Sequence, residues 1–330
     1  MEILNTEYGL QIKTLNETLW DNRAQMPKID AWLDNFKKET EKEYALFLLS
    51  KLMYFNASNI RRLLQMLYRD LYRYPIIEDI RKRNDGTLDE KIIEDAFKER
   101  LKKTRFLGVG NPSESGVHLL YYFRQENRLS KRLFVNTDDV ILNKDGAIAL
   151  NDNFKDMNFV FIDDICGSGM QATTNDSNVK RCVENIRRIS PNAKISYFVL
   201  FGMTEGLKKV RTSGLYNSVE AVIEIDESYK CFGGRSRYFK SNEEEKKQKI
   251  KAMAEEYGYE LALDIAKRDD WSKDKEAEAE ANKLGFRDGQ LLLSMHHNTP
   301  NNTLPIIWYD EDNTKWAPIF RRYNKVYGEL

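Results

Sequence analysis

The residue types best suited to chemistry gather in one stretch: Asn158-Phe-Val-Phe-Ile-Asp163-Asp164-Ile-Cys-Gly167-Ser168-Gly169-Met170-Gln171. Residues 159–162 are a short apolar run that reads as a buried parallel strand, and the run stops on two adjacent carboxylates. A small loop bracketed by glycines follows, and the chain is then expected to turn into a helix. Glycines let backbone approach an anion closely, and N–H groups at a helix start point toward it with the dipole's favour. Asp163 and Asp164 stand just upstream, where the hydroxyls of a sugar carrying that phosphate would lie. The pattern implies a ribose 5-phosphate ligand. The plainer alternative is a strand, turn and helix whose Asp pair is a solvated cap.

These residues need elements to position them. Before the stretch, residues 27–103 carry a helical pattern. Tyr44, Phe47, Leu48 and Leu52 recur on one face, as do Ile60, Leu63, Leu64, Leu67 and Leu71. Thr87-Leu-Asp-Glu90 has the form of a capping box opening a third helix through Ile92, Ile93 and Phe97. Arg61, Arg62, Arg69 and Arg73 decorate the second helix and read most simply as a solvated face. Residues 105–110 read as a strand, 111–116 as a loop, 117–124 as a helix and 132–136 as a second strand. Residues 140–142 and 147–150 flank an Asn143-Lys144-Asp145-Gly146 turn like a hairpin. After the glycine loop, a helix to about Ile189, a strand over 194–201, a helix over 204–210 and a strand over 219–225 follow. Alternating strands and helices predict an α/β fold with a mostly parallel sheet flanked by helices, ligands sitting beyond the strand C-termini.

The central stretch resembles the signature of type I phosphoribosyltransferases: four apolar residues, two acids, two apolar residues, then a small-Thr-Gly-x-Thr loop. The resemblance implies that Asp163 and Asp164 hold the ribose 2- and 3-hydroxyls, and that Gly167, Ser168, Gly169, Met170 and Gln171 wrap the 5-phosphate. Ser168 stands where the family has Thr and keeps the hydroxyl. Gln171 replaces a second Thr by an amide. The order strand, loop, helix, strand, excursion, signature strand is also that of the family. By position it makes Ser113, Ser115 and Gly116 the pyrophosphate-loop candidates and Lys144 a flap candidate. It further implies magnesium, carried mainly on the pyrophosphate of phosphoribosyl pyrophosphate, with no direct protein ligand cluster.

Beyond the core, Ser228-Tyr-Lys-Cys-Phe-Gly-Gly-Arg235-Ser-Arg237 is a glycine-hinged loop whose two guanidinium groups suit an anionic ligand, with a surface turn as the equal alternative. Residues 241–284 are highly charged and helical, with Ile250, Met253, Ala254, Tyr257 and Leu261 on one buried stripe and Gly285 as the stop. The tail from Leu291 returns to strand-like composition. Its His296 and His297 are candidates for base or proton-transfer contacts. As neighbours on a strand they are expected to point apart, which makes them poor joint metal ligands. The run His297-Asn-Thr-Pro-Asn-Asn-Thr-Leu-Pro305, with Trp316-Ala-Pro-Ile-Phe-Arg321, resembles a narrower group, PRTase-CE, of bacterial conflict loci that include retron-type anti-phage systems. The expected division is an N-terminal helical region over 1–104, a phosphoribosyltransferase-like core over 105–240 and a helical and strand extension over 241–330 packed on that core.

Bulk properties bound the function. Lys+Arg and Asp+Glu both number 52, so no global field draws in nucleic acid or membrane. Mean hydropathy is −0.63, and no apolar run approaches a membrane span. The opening lacks a signal peptide's basic start and apolar core, and Cys166, Cys182 and Cys231 follow no metal spacing, which together imply the cytoplasm. Two function classes stay open, each with a small-molecule partner, phosphoribosyl pyrophosphate or a nucleotide. One is a transferase, or an effector that cleaves a nucleotide's glycosidic bond, in anti-phage defence. The other is a sensor or docking module that keeps the fold without turnover. The resemblance allows a defence-system protein or RNA partner encoded nearby, and a homo-oligomer. A methyltransferase loop is disfavoured, because it needs glycine at Ile165 and an acid ending the next strand, where Phe201-Gly-Met-Thr204 offers none.

Overall fold

The computed structural model describes residues 6–110, 115–144, 147–174, 177–268, 273–310 and 316–322. Helices α1 (Glu7–Thr18), α2 (Met26–Leu33) and α3 (Glu39–Ser50) open the chain, followed by β1 (Met53–Phe55) and α4 (Ala57–Met66). The face expected here is realised, with Phe47 and Leu48 of α3 and Leu52 just past its end buried, and Tyr44 packed at the cluster's edge. After Met66 the helix widens into a π-helical stretch, Leu67–Arg73, in which the N–H of Tyr74 reaches back to the carbonyl of Arg69. Helix α5 (Tyr74–Arg83) then starts with Pro75 in its first turn. Proline has no N–H for the carbonyl four residues back and its ring crowds that carbonyl, so the preceding bonds slip to a wider spacing. Three of the four arginines of this face are ion-paired at the surface: Arg61 with Glu126 at 2.6 Å, Arg69 with Asp70 at 2.6 Å, and Arg73 with Glu94. Helix α6 (Glu90–Lys102) is capped by Asp89, which accepts from the N–H groups of Lys91 and Ile92. Thr87 instead accepts from Asp89, so the cap lies two residues beyond the expected one, and with Ile92 at its third helical position no reciprocal box forms.

The central elements are β2 (Thr104–Gly108), α7 (Ser115–Glu126), α8 (Thr137–Val140), β3 (Ile141–Lys144), β4 (Ala147–Leu150), β5 (Asn158–Cys166), α9 (Met170–Thr173), α10 (Asn178–Ile189), β6 (Ile195–Met203), α11 (Thr204–Thr212) and β7 (Ser218–Ile225). Four of the strands form a parallel sheet in the order β2-β5-β6-β7. β5 and β6 are apolar almost throughout because both sheet faces are covered. On one face Phe159, Phe161, Tyr197 and Val199 pack with Val179, Cys182, Val183 and Ile186 of α10 and with Leu207 and Val210 of α11. On the other, Phe106 meets Phe123 of α7 and Tyr72 of the π-helical stretch, ring centroids 5.2 and 5.1 Å apart. The expected α/β class, with a parallel sheet between helices, is present. The hairpin β3–β4 is antiparallel as expected.

Residues 132–136 do not form the strand expected of them. Lys131–Leu133 makes one 3-10 turn, and only Phe134 bridges to Phe106 of β2. Local polar groups win the backbone: Ser130 caps the turn, and Asn136 with Asp139 forms a reciprocal box that starts α8.

The chain ends with α12 (Glu244–Arg268), α13 (Lys275–Asn282), β8 (Leu293–Met295) and α14 (Pro305–Trp308). The stripe of Ile250, Met253, Ala254, Tyr257 and Leu261 is buried along α12, and β8 pairs in parallel with β1. Two compact units result, one of residues 1–60 with 226–330 and one of residues 61–225. These bounds differ from a division at 104 and 240. Helices after residue 60 belong with the sheet, as Tyr72 shows by donating to Thr104 Oγ1 at 2.8 Å. Cys231 and Phe232 are instead buried in the core built by both chain ends. No helix among the described residues is long and apolar enough to cross a membrane.

That shared core is held by directional bonds as well as apolar area. Trp32 Nε1 and Trp316 Nε1 both donate to the carbonyl of Ile306, at 2.7 and 3.1 Å. Asn35 donates to the carbonyls of Trp32 and Ala317 and accepts from the N–H of Ala317 at 3.0 Å. Asn35→Ala leaves partly buried backbone groups of both chain ends without that amide. It is expected to lower unfolding free energy by about 1–3 kcal/mol in a urea titration.

Candidate functional site

The site is set by where strands stop pairing. β2 pairs with β5 up to Gly108 opposite Ile162, and the N–H of Val109 donates to the Ile162 carbonyl at 3.0 Å. β5 continues beside β6 until Cys166 opposite Gly202. Asp163 and Asp164 therefore stand just past the last β2 rung, at the carboxyl end of a parallel sheet, where ligands bind in open α/β folds. Successive strand side chains alternate. Asp163 follows Phe159 and Phe161 onto the α10 face, and Asp164 follows Val160 and Ile162 onto the α7 face. Both carboxylates are buried, at 2% and 6% exposure. Asp163 Oδ1 accepts the N–H of Asp164 at 2.9 Å, and Asp164 Oδ1 accepts the N–H of Ile165 at 2.8 Å. The hydroxyl of Tyr197 lies 3.5 Å from Asp163 Oδ2.

The loop after β5 is shaped by two interlocked glycines. Gly169 sits at φ +72°, a left-handed conformation that side chains other than hydrogen resist, and a Cβ there would lie 2.8 Å from the carbonyl oxygen of Gly206. A Cβ on Gly206 would overlap the carbonyl of Gly167. The first turn of α11 thus lies flush against loop 167–169. Ser168 Oγ accepts from the N–H of Met170 at 3.4 Å, and Thr173 Oγ1 donates to the Gly169 carbonyl at 2.8 Å. Gly169 and Ser168 remain part of a compact turn, and Gln171 is exposed. The helix expected here is only the single turn α9; α10 starts later, capped by Ser177. One turn aligns too few peptides for a large dipole, so the loop's anion-binding capacity rests on its local N–H groups.

Of the other candidates, Ser113 lies outside the described residues, while Ser115, Gly116 and Lys144 are described in backbone alone. The topology carries Ser115 and Gly116, which open α7 directly after β2, to the sheet end that bears the acids. Arg235, Arg237, His296 and His297 belong to the other compact unit. There the Arg237 guanidinium stacks on Tyr229, 3.4 Å from the ring centroid, and donates to Ser228 Oγ at 2.7 Å. Arg235 is exposed. His296 and His297 do not diverge as strand neighbours would. β8 ends at Met295, and past that end their rings meet edge to face at 4.9 Å. Among the described residues, no three His, Cys, Asp or Glu side chains gather as metal ligands.

Residues 29–322 match the PRTase-CE family. The chain belongs to that family. It is thereby a phosphoribosyltransferase-like protein, and the match runs through both compact units. Among curated proteins no match is found. The polar run His297 to Pro305 has a structural job. Thr303 Oγ1 donates to the Leu293 carbonyl at 2.6 Å, Ser294 and Thr299 share a buried hydroxyl bond at 2.8 Å, and Trp308 Nε1 donates to the Thr303 carbonyl at 2.7 Å.

Reading the sequence missed Tyr197 and Gly206. The first is one aromatic in an apolar strand and carries no signal of its own. The second is a glycine inside a helix, a costly placement that marks close packing. Cys166, between acids and loop, is no nucleophile. Burial, with the Asp163 charge adding to it, pushes its thiol up to about 12. At pH 8 the thiolate is about one part in ten thousand, so iodoacetamide should leave Cys166 unmodified in native protein and label it once urea unfolds the chain. Gly206→Ala is expected to displace loop 167–169, at about 1–3 kcal/mol of stability, read by urea titration and by loss of loop cross-peaks at their native positions in NMR.

Proposed function

We propose that this PRTase-CE protein binds a 5-phosphorylated ribose, as phosphoribosyl pyrophosphate or a nucleotide, at Asp163, Asp164 and the loop of Gly167, Ser168, Gly169, Met170 and Gln171. The supporting observation is the adjacency of two buried carboxylates at a parallel strand's carboxyl end to a turn that only glycine can form. Loop N–H groups would take the 5-phosphate, and the carboxylates would accept ribose hydroxyls. In the transferase reading, magnesium enters with the substrate's pyrophosphate, which Ser113, Ser115 and Gly116 would receive beneath a flap bearing Lys144. The bond from C1 to the pyrophosphate oxygen breaks and the pyrophosphate leaves with the electron pair. Positive charge on C1 and the ring oxygen is stabilised by the carboxylates until an acceptor adds. With a nucleotide bound, water would be the acceptor and the base the leaving group. A role in bacterial anti-phage defence, with a protein or RNA partner encoded nearby, is part of this proposal and draws on the family's conflict-locus setting.

Two observations favour a second reading, a sensor that binds the same ligand without turnover. Both carboxylates already accept backbone N–H bonds and are nearly closed to solvent. The amide of Gln171 at the loop's last position points the same way.

Calorimetric titration of phosphoribosyl pyrophosphate with magnesium, and of AMP, tests the site. Micromolar binding by the wild type, weakened at least about a hundredfold in Asp163→Asn/Asp164→Asn, is the expected result, two charge-assisted contacts being lost. No binding of either ligand by folded wild type removes the proposal. Pyrophosphate or base release under the same conditions separates transferase from sensor.

A further inference from the structure

We propose that Tyr197 is a positioning residue for the ribose-phosphate site, its buried hydroxyl orienting Asp163 from the neighbouring strand; this rests on the reading of Asp163 as a ribose contact. Tyr197 lies opposite Phe161 on β6, two residues before Val199, which is the partner of Asp163. Alternation puts Tyr197 and Asp163 on the same sheet face. The ring is 1% exposed, so solvent does not serve its hydroxyl. A buried phenol takes a polar partner, and here that partner is Asp163 Oδ2 at 3.5 Å. Asp163 Oδ1 is already turned to the N–H of Asp164. The carboxylate is thus held at both oxygens, one by its own backbone and one from across the sheet.

Tyr197 also ties the acids to the phosphate loop. Its ring lies 5.5 Å from that of Tyr216, whose hydroxyl donates to the Ala172 carbonyl in α9 at 3.0 Å. A short path therefore runs from Asp163 through the rings of Tyr197 and Tyr216 to Ala172, just past the loop. Burial, then the nearby Cys166 and Asp163, hold the phenol well above its ordinary range, so it stays a donor at all working pH. A 3.5 Å separation is long for O–H···O, and such contacts tighten when ligand draws the carboxylate into line.

The test is a double-mutant cycle of Tyr197→Phe and Asp163→Asn, read by calorimetry with magnesium phosphoribosyl pyrophosphate and with AMP. Phenylalanine keeps the ring and its packing. Tyr197→Phe alone should weaken binding about five- to tenfold. In the Asp163→Asn background it should change affinity by less than about twofold, because the hydroxyl acts through that carboxylate. Equal binding by wild type and Tyr197→Phe, or the same loss in both backgrounds, overturns the proposal. Urea unfolding of the four proteins reads the same coupling without ligand, and strict additivity there also overturns it. Wild type that binds neither ligand removes the functional reading, and the unfolding cycle then decides the Tyr197–Asp163 link by itself.

Discussion

The contact on which the candidate site depends is backbone against backbone: Gly206 of α11 pressed on the carbonyl of Gly167, with Gly169 turned left-handed beside it. No side chain fits between these segments, so the loop's path is decided by hard-core repulsion. A glycine inside α11 costs helix stability, and the gain is a turn whose N–H groups are fixed before any anion arrives. Preorganisation of that kind makes an anion site selective, because little ordering remains to be done on binding.

The acids show the opposite economy of space. Two adjacent carboxylates on a strand look like a matched pair, yet alternation divides them between faces. Asp163 shares its face with Tyr197, whose ring packs near Tyr216, while Asp164 falls on the opposite face. A buried carboxylate is tolerated only with donors at its oxygens. Backbone N–H groups of the next residues supply one each, and Tyr197 adds another to Asp163. The same low-polarity surroundings keep the Cys166 thiol protonated, leaving carboxylate and N–H chemistry as the means at this strand end.

The other unit obeys a different logic. Its chain ends meet in a core of tryptophans and tyrosines, and nearly every indole N–H there is spent on a carbonyl of the stretch from Thr303 to Ile306. Glu41 and Tyr257 add a buried bond at 2.8 Å between α3 and α12. Polar residues that look chemically promising in the tail, such as Thr299, Asn302 and Thr303, are in this light the fasteners of irregular backbone, which must find partners wherever helix and sheet do not provide them.

Periodicity was enough to read the class of fold, the acidic strand end and the glycine loop, because those signals are local. Apolar runs bounded by glycine describe a covered strand regardless of what covers it, and a glycine-bracketed loop marks backbone free to turn left-handed, as Gly169 does. The long stripe of α12 was equally plain. What sequence could not decide is whatever depends on distant partners. Residues 132–136 have strand composition but lose their backbone to local caps. Residues 27–103 read as a helical bundle that either stands apart or covers the core, and only the packing of Tyr72 on Phe106 assigns the part after residue 60 to the sheet. The placing of Gly206 under Gly167, and of Tyr197 beside Asp163, arises because parallel strands bring residues more than thirty positions apart into register. Local propensity selects each element, whereas burial of both sheet faces selects which side chains share a site.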